Sequence, residues 1–302
     1  MFSYSIKVRC PICNQKPTSK NSPKTSVANR QTYGTYQRKS DSRVIQRYKC
    51  LMCQKTYSTA INDPAYNHKK RRVNFLLKNL LASCVSLRRA AKLLGISRKT
   101  VARKLRFLGQ VCREEHLAFL TNQARHIQAI QFDELQSFEH TKCKPLSVAV
   151  AVSVHNRKIL GFSVSSMPAT GHLAAVSRKK YGSRPDYRRA GLRALFTSFA
   201  KRIPENVQIH SDQHPFYKPI IQAIFPRANY HQSKGVKAAV TGQGELKKKQ
   251  NDPLFCINHT LAMLRANINR LVRKTWCTTK DPARLADHLA IYISVHNSVL
   301  TT

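Results

Sequence analysis

The sequence predicts an α/β protein in which a small metal-binding module and a short helical module precede a larger α/β domain. Two CxxC motifs lie near the start of the chain, and three short amphipathic helical patterns follow them. Beyond residue 126, apolar runs of strand length alternate with helical patterns, which is typical of a sheet covered by helices. The 302 residues correspond to roughly two domains of ~150 residues, and 42% of them are hydrophobic, enough for a buried core.

The charge balance predicts a polyanionic partner. The chain has 53 Lys and Arg residues against 14 Asp and Glu, a formal net charge of +39. Residues 1–125 contain 27 basic and 4 acidic residues and residues 126–302 contain 26 and 10, so the charge is not confined to a tail. Because neutralising phosphates releases counterions and drives binding, double-stranded DNA is favoured over a membrane surface or a small-molecule substrate.

Targeting signals are not evident in the sequence. The start, Met1 to Ser5, does not lead into an apolar core of signal-peptide length. No run of ~20 apolar residues, the length that spans a bilayer, is present. Nine cysteines without a secretion signal favour a reducing compartment. We therefore expect a cytoplasmic, nucleoid-associated protein.

Residues 1–60 are predicted to form a zinc ribbon. Cys10 and Cys13 form one CxxC motif and Cys50 and Cys53 the other, so two tight turns supply four thiolates to one tetrahedral Zn²⁺. The 36 residues between the motifs are rich in Ser, Thr, Lys, Arg and Asn and predict a long basic hairpin or loop. Four reduced structural thiols are the alternative. The five remaining cysteines are scattered and typical of small core residues.

Residues 61–125 are predicted to form a helix-turn-helix DNA-binding domain. Residues 73–85 have the apolar spacing of a first helix, Ser86 caps a second, Gly95 ends it, and Ser97 caps a third. This arrangement places a basic recognition helix in the major groove. The predicted DNA contacts are Ser97, Arg98, Lys99, Thr100 and Arg103. The predicted inward residues are Val101, Leu105 and Leu108. An ordinary three-helix bundle with a solvated basic face is the alternative.

Residues 126–302 are predicted to form the α/β domain. Strands are predicted at residues 127–135, 146–155, 159–165, 207–210 and 228–231, and helices at about 189–202 and 215–225. Asp252-Pro253 resembles an N-cap with proline at the first helical position, and we expect the longest helix to begin there. Its apolar seam comprises Leu254, Ile257, Leu261, Leu264, Ile268 and Leu271. The basic stretch 178–193, with Tyr181 and Tyr187, predicts either a surface that follows a DNA strand or a solvated loop.

Two carboxylates follow apolar strand patterns. Asp133 ends the run that begins at Ile130, and Asp212 ends the run that begins at Val207. In a chain so poor in acids, two such residues are typical of ligands for divalent metal ions that act on phosphodiesters. Glu134 would lie on the opposite side of a regular strand, so Asp133 is preferred. Ordinary turn acids at strand ends are the alternative.

Three strands in a hairpin series, a helix, a strand with an acidic end and a late helix describe a ribonuclease H-like core. With these modules in this order, the chain resembles, over nearly its full length, the DDE transposases of bacterial insertion sequences. It is most similar to the insertion-sequence-one-like type with a zinc ribbon and a helix-turn-helix. The matching segments are Ser86 to Leu108, Gln131 to Glu134, His210 to Asp212 and Ile257 to Cys277.

The resemblance leaves the third active-site ligand open. Where family members have Glu, this chain has Asn258, as some related transposases do; an amide oxygen can coordinate a hard cation but supplies no charge. Glu245, which lies 33 residues after Asp212, and Asp252 are the alternatives, in that order. Arg265 shares a helix face with Asn258 and is expected to contact a phosphate.

The resemblance implies a Mg²⁺- or Mn²⁺-dependent transposase in which Asp133, Asp212 and Asn258 hold the metal. It would bind the terminal inverted repeats of its element, hydrolyse a phosphodiester at each end, and join the freed 3′-OH to target DNA. A homo-oligomer that pairs two DNA ends is expected. Two alternatives stay open: a catalytically inactive, transposase-derived DNA-binding protein, and a metal-dependent DNA nuclease.

Overall fold

The computed structural model describes residues 9–13, 30–123, 126–234, 252–272 and 276–300. The chain divides into two compact units between Leu76 and Leu77. It is a mixed α/β structure, with a four-cysteine cluster in the first unit and a mixed five-stranded sheet in the second. Within the described residues, no helix combines the length and the apolar character needed to cross a membrane.

The first unit contains a small antiparallel sheet. Its strands, in the order β1-β2-β3, are β1 (Arg30–Gln37), β2 (Val44–Cys50) and β3 (Thr56–Ser58). The β1–β2 hairpin forms the second part of the predicted basic hairpin, and residues 14–29 lie outside the described residues. Arg38 at the end of β1 pairs with Asp41 and lies 3.2 Å from Asp63. These ion pairs hold the hairpin tip, because the Arg38 side chain is only 10% exposed.

Three consecutive helices follow. They are α1 (Val73–Leu81), α2 (Leu87–Leu93) and α3 (Arg98–Gln123). The Ser86 side chain accepts a hydrogen bond from the Arg89 N–H, and Ser97 accepts one from the Thr100 N–H, both at 3.2 Å, so both predicted caps are confirmed. Gly95 has a φ of +59°, a conformation that glycine adopts without steric cost in the turn after α2. The predicted inward residues Val101, Leu105 and Leu108 are buried.

The first helix ends earlier than predicted, at Leu81 rather than at Val85. Cys84 adopts a φ of +60° and donates its N–H to the Asn267 carbonyl at 2.7 Å. The Val85 N–H also donates to the Leu80 carbonyl at 3.2 Å across this left-handed residue. A local turn therefore ends the helix, and apolar spacing alone does not reveal such a turn.

A five-stranded sheet of order β6-β5-β4-β7-β8 organises the second unit. Its strands are β4 (Ala129–Phe138), β5 (Pro145–Ser153), β6 (Ile159–Ser166), β7 (Gln208–Ser211) and β8 (Asn229–Gln232). β4, β5 and β6 are antiparallel neighbours, whereas β7 is parallel to both β4 and β8. All five predicted strands are therefore present.

Helices cover both faces of this sheet. The remaining helices are α4 (Leu173–Tyr181), α5 (Arg188–Ala200), α6 (Tyr217–Ile224), α7 (Phe255–Asn267) and α8 (Pro282–Val299). α5 and α6 pack on one face, and α7 and α8 pack on the other. Successive side chains of β4 point to opposite faces. Phe132 is buried against α5 and α6, and Leu135 is buried against α7 and α8. Asp133, two residues before Leu135, therefore lies on the α7 side.

Three helix predictions need correction. α7 begins at Phe255 rather than at Pro253 and has 13 residues, so it is not the longest described helix; α3 has 26. The predicted seam is nevertheless buried throughout, including Ile268 and Leu271 beyond the end of α7. α4 and α5 occupy most of the basic stretch 178–193, so the loop prediction is wrong there, and the surface along a DNA strand stays a prediction. α8 was not predicted, although Asp281 caps it with proline at the next position.

α8 connects α3 to the sheet within the second unit. Gly109 of α3 lies so close to α8 that a Cβ on it would be 2.7 Å from the Asp287 Cβ. Asp287 is 4% exposed and binds Arg113 at 2.7 Å and Arg284 at 2.6 Å. The predicted domain limits at residues 60 and 125 follow motifs. The division observed in the structure follows packing, which places α2, α3 and the large sheet in one unit.

Candidate functional site

Four cysteines come together in the first unit. The Cys10 Sγ lies 3.6 Å from the Cys53 Sγ, the Cys13 Sγ lies 3.8 Å from the Cys50 Sγ, and all four sulfur atoms lie within 4.8 Å of one another. These distances are too long for disulfides, and they match the ~3.8 Å sulfur–sulfur edge of a tetrahedron with Zn–S bonds of ~2.3 Å. The cluster can therefore bind one metal ion such as zinc.

The four thiols influence one another's protonation because they lie so close. Burial raises the pKa of Cys50, but hydrogen bonds from the backbone of Cys53 and Met52 outweigh it and bring the pKa down to about 7. At Cys13, hydrogen bonding with the Cys53 thiol and burial raise the pKa to about 12. A divalent cation would stabilise all four sulfur atoms as thiolates, including those whose pKa is raised by their neighbours.

Asp133 lies on β4, and Asp212 directly follows the neighbouring strand β7. β4 and β7 run parallel, with Gln131 paired to His210. Continued by two residues past this last pair, the register places Asp133 level with Asp212, which directly follows β7. The Asp212 charge is close enough to raise the pKa of Asp133. Asp133 lies in the middle of β4 rather than at its predicted end. β4 continues to Phe138 because β5 still pairs with it after β7 has ended.

The environment of Asp133 disfavours its negative charge. Burial raises the pKa of Asp133 to about 6, and the nearby charge of Asp212 adds to the rise. The Glu134 N–H donates to the Asp133 Oδ1 at 2.6 Å and opposes the shift. A divalent cation between the two carboxylates would relieve their repulsion, so the local electrostatics favour metal binding.

Asp133→Asn is expected to stabilise the metal-free protein at pH 8 but not at pH 4. The folded-state pKa of about 6 exceeds the ordinary value of 3.8, so the folded chain keeps this proton when the unfolded chain has lost it. Wild-type stability therefore falls as the pH rises through this window. The gain at pH 8 should be about 1–3 kcal/mol. Urea unfolding in EDTA measures it, with Glu205→Gln at an exposed carboxylate as the control. Equal effects of the two substitutions would contradict the raised pKa of Asp133 in the folded protein.

Gln131 holds the start of α7 against β4. Its side chain is almost fully buried; the Nε2 donates to the Pro253 carbonyl at 2.8 Å, and the Oε1 accepts from the Ile257 N–H at 3.0 Å. Gln131 and Asp133 share a face of the strand, so these bonds bring the first turn of α7 to the carboxylate side. This role was not predicted, although a polar residue at a buried strand position is a signal for it.

Asn258 lies on the first turn of α7, and its amide has a defined partner. The Nδ2 of Asn258 donates to the Asp252 Oδ2 at 2.8 Å, while the Asp252 Oδ1 accepts from the Leu254 N–H at 2.9 Å. Since the NH₂ group is engaged, the amide oxygen is the atom left to coordinate a cation. Asp252, predicted as an alternative ligand, is thus the partner of Asn258. Glu245 lies outside the described residues.

Arg265 and Glu134 lie apart from the carboxylate pair. Arg265 is two helical turns beyond Asn258 on α7 and lines a cleft of about 470 Å³ with Gln136. Glu134 faces α5, where its carboxylate lies 4.0 Å from the Arg188 guanidinium. Burial raises the pKa of Glu134 to about 7, and Arg188 opposes the rise. The predicted separation of Asp133 and Glu134 onto opposite faces is confirmed.

The predicted DNA-contact residues form one surface at the start of α3. Ser97, Arg98, Lys99 and Arg103 are exposed, and Thr100 is half-buried. The Ser97 and Thr100 hydroxyls are hydrogen bonded to each other at 2.9 Å. The opposite side of α3 is buried against α1 and α2, so the basic surface is presented on a packed helix.

Beyond the four cysteines, the described ranges contain no group of three His, Cys, Asp or Glu side chains close enough to share a metal ion. A site built from two carboxylates and the Asn258 amide contains only two side chains of these four types, so it does not form such a group. No protein-family model matches the chain, and a comparison with curated proteins finds no matching sequence.

Proposed function

We propose that the protein is a metal-dependent DNA transposase. The observation that carries the proposal is a pair of neighbouring carboxylates beside the start of a helix, with Asp133 on β4 and Asp212 directly after the parallel strand β7. That helix presents Asn258 with its amide group oriented by Asp252. The net charge of +39 supplies the electrostatic attraction for a DNA substrate.

The architecture supports a ribonuclease H-like assignment for the sheet domain. Three antiparallel strands are followed by two parallel ones, in the order β6-β5-β4-β7-β8, with helices on both faces. Asp133 belongs to the central strand, and Asp212 directly follows its parallel neighbour. These positions agree with the two acidic motifs that the sequence resemblance implies.

The helices α2 and α3 support the proposed helix-turn-helix. A short capped helix, a turn with Gly95 in the left-handed conformation, and a long basic helix agree with that motif. Arg98, Lys99 and Arg103 would contact phosphates and base edges of the element ends. In the first unit, the four cysteines would hold a structural Zn²⁺ that fixes the ribbon.

Asp133, Asp212 and Asn258 would hold Mg²⁺ or Mn²⁺, because carboxylate and amide oxygens are the hard ligands that these ions prefer. The bound metal would stabilise charge on the attacking and leaving oxygens of a phosphodiester displacement. Asp252 holds the Asn258 amide oxygen in its orientation, and Gln131 holds α7 in place. Arg265 would contact a phosphate of the bound DNA.

The proposed reaction has two displacement steps. Water first cleaves the phosphodiester at each element end and leaves a free 3′-OH. That hydroxyl then attacks a phosphodiester of the target: a new P–O bond forms while the P–O3′ bond of the target breaks. The protein forms no covalent bond to DNA.

Strand transfer by the purified full-length protein tests the proposal. The substrate is an end-labelled duplex taken from the DNA that flanks the coding sequence, and the target is a supercoiled plasmid. We expect nicked and joined products with Mg²⁺ or Mn²⁺ and none with EDTA. A duplex of scrambled sequence is the matched control.

Each other result of the strand-transfer assay distinguishes an alternative. Binding of the flanking duplex without cleavage in either metal would favour an inactive DNA-binding protein. Cleavage without joined products would favour a metal-dependent nuclease. Absence of both binding and cleavage would contradict the proposed function.

A further inference from the structure

A basic cleft lies between the start of α3 and the segment before α8. Its volume is about 670 Å³. The residues that define this arginine cleft are Arg88, Arg98, Arg270, Lys280 and Arg284, together with Trp276. Both sides belong to the second compact unit, in which α3 packs closely on α8 at Gly109 and Asp287. The cleft is therefore a composite surface whose two sides are held together by packing.

The arginine cleft has more positive charge than its own acid neutralises. Among its described lining residues, Asp281 is the only acid, and it already accepts hydrogen bonds from the Ala283 N–H and the Arg284 Nε. Arg284 also binds Asp287, at 2.6 Å. Within the described ranges, no carboxylate forms an ion pair with Arg88, Arg98, Arg270 or Lys280.

Arg270 is a partly buried cation in the arginine cleft. Burial lowers the pKa of Arg270; Cys277, Asp281 and Asp287 oppose this shift, and the neighbouring Arg284 charge adds to it. A guanidinium still remains protonated in proteins, so its burial without a direct ion pair is unfavourable. An anionic group in the arginine cleft would offset this cost through charge-assisted hydrogen bonds.

Trp276 adds an aromatic surface to the arginine cleft. Its side chain is 101% exposed, and it is the only tryptophan in the chain. A large aromatic side chain left in water beside several cations is typical of surfaces that bind nucleic acids, where rings pack on sugars and bases while cations contact phosphates.

We propose that the arginine cleft binds the phosphodiester backbone of duplex DNA and extends the contact made by the start of α3. Arg98 belongs to both surfaces, so backbone phosphates of one duplex that contacts α3 can also reach the cleft. Phosphates pair with Arg88, Arg270 and Lys280, and Trp276 packs on a deoxyribose. The inference rests on the DNA binding of the proposed function but not on catalysis.

Trp276 fluorescence reports directly on the arginine cleft, because no other tryptophan contributes. The full-length protein is titrated with a mixed-sequence duplex several helical turns long, and Trp276 emission is followed in parallel with the anisotropy of the labelled duplex. We expect both signals to change with the same midpoint and both changes to be reversed by salt. Poly-glutamate and inorganic phosphate, added separately, should leave the emission unchanged at the concentrations that saturate with duplex.

Charge-removing variants test the same surface without using fluorescence. Lys280→Gln and Arg270→Gln should each lower the slope of log affinity against log salt by about 1, and weaken binding about three- to tenfold at moderate salt. Lys201→Gln removes the same charge from an exposed residue after α5 and should leave the slope unchanged. Because Lys280 is exposed, its substitution remains informative even if Arg270→Gln affects folding.

The outcomes separate this inference from the proposed function. Duplex binding with unchanged Trp276 emission and equal effects of Lys280→Gln and Lys201→Gln would overturn the cleft assignment while DNA binding stands. A saturable response to poly-glutamate but not to duplex would overturn it in favour of an acidic protein partner. No duplex binding at all would overturn both.

Discussion

Alanine at Asp133 or at Asp212 is expected to abolish strand cleavage and joining while duplex binding persists. Each substitution removes one carboxylate of the pair. Losing one group that stabilises charge in the transition state costs about 10²–10³-fold in rate or more. End-labelled cleavage and joining in Mg²⁺ measure the loss, and anisotropy measures binding. Glu205→Ala is the matched control, since its carboxylate is exposed and lies outside the site. Unimpaired joining by either Asp variant would contradict the proposed function.

The same assay identifies the third ligand. Asn258→Ala should be as inactive as the Asp variants, and Glu245→Ala should keep its activity; the reverse result would make Glu245 the ligand. Asp252→Ala should reduce activity by about 10–100-fold, the usual effect of removing a partner that orients a ligand. The effect is smaller because Asp252 orients the Asn258 amide and is not itself a proposed metal ligand.

Loss of zinc from the first unit is expected to unfold its small sheet. Apparent binding free energies of structural Zn²⁺ sites at pH 7 are on the order of 10–16 kcal/mol, more than a three-stranded sheet supplies by itself. We expect one zinc per chain in the wild-type protein and none in the Cys10→Ser, Cys50→Ser double variant. Metal analysis gives the content, and proteolysis within β1 to β3 after chelation reports the unfolding.

The exposed Cys84 offers a matched control for the zinc prediction. It lies outside the four-cysteine cluster, so Cys84→Ser should retain one zinc per chain. A double variant of Cys10 and Cys50 that still contained one zinc per chain would contradict the zinc ribbon.

Local sequence patterns predicted most elements because the same local forces form them. The alternation and apolar runs of β4 to β8 and the caps at Ser86 and Ser97 depend on residues close in the chain. Apolar spacing failed where a turn decides: α1 ends at Leu81 because Cys84 adopts a left-handed conformation and the Val85 N–H bonds the Leu80 carbonyl. Asp252-Pro253 and Asp281-Pro282 carry the same local signal, yet only Asp281 caps a helix directly at its proline.

For the candidate site too, the sequence identified residues but not the contacts between distant segments. The sequence singled out Asp133 and Asp212 because acids are scarce and both follow strand patterns, and the family resemblance singled out Asn258. It could not place Asp133 beside Asp212, since a parallel register joins residues far apart in the chain. Nor could it show Gln131 bound to the start of α7.

By itself, the sequence determined the chemistry available to this protein: four cysteines in two CxxC motifs, a basic helical surface and two carboxylates that follow strand patterns. Residue type and short-range spacing set these features, because thiolate turns, helix caps and strand alternation are local properties. Only the tertiary structure decided which groups meet. Contacts between distant segments form the neighbouring carboxylates, the oriented amide of Asn258 and the arginine cleft. Burial of the whole core determines which segments make these contacts.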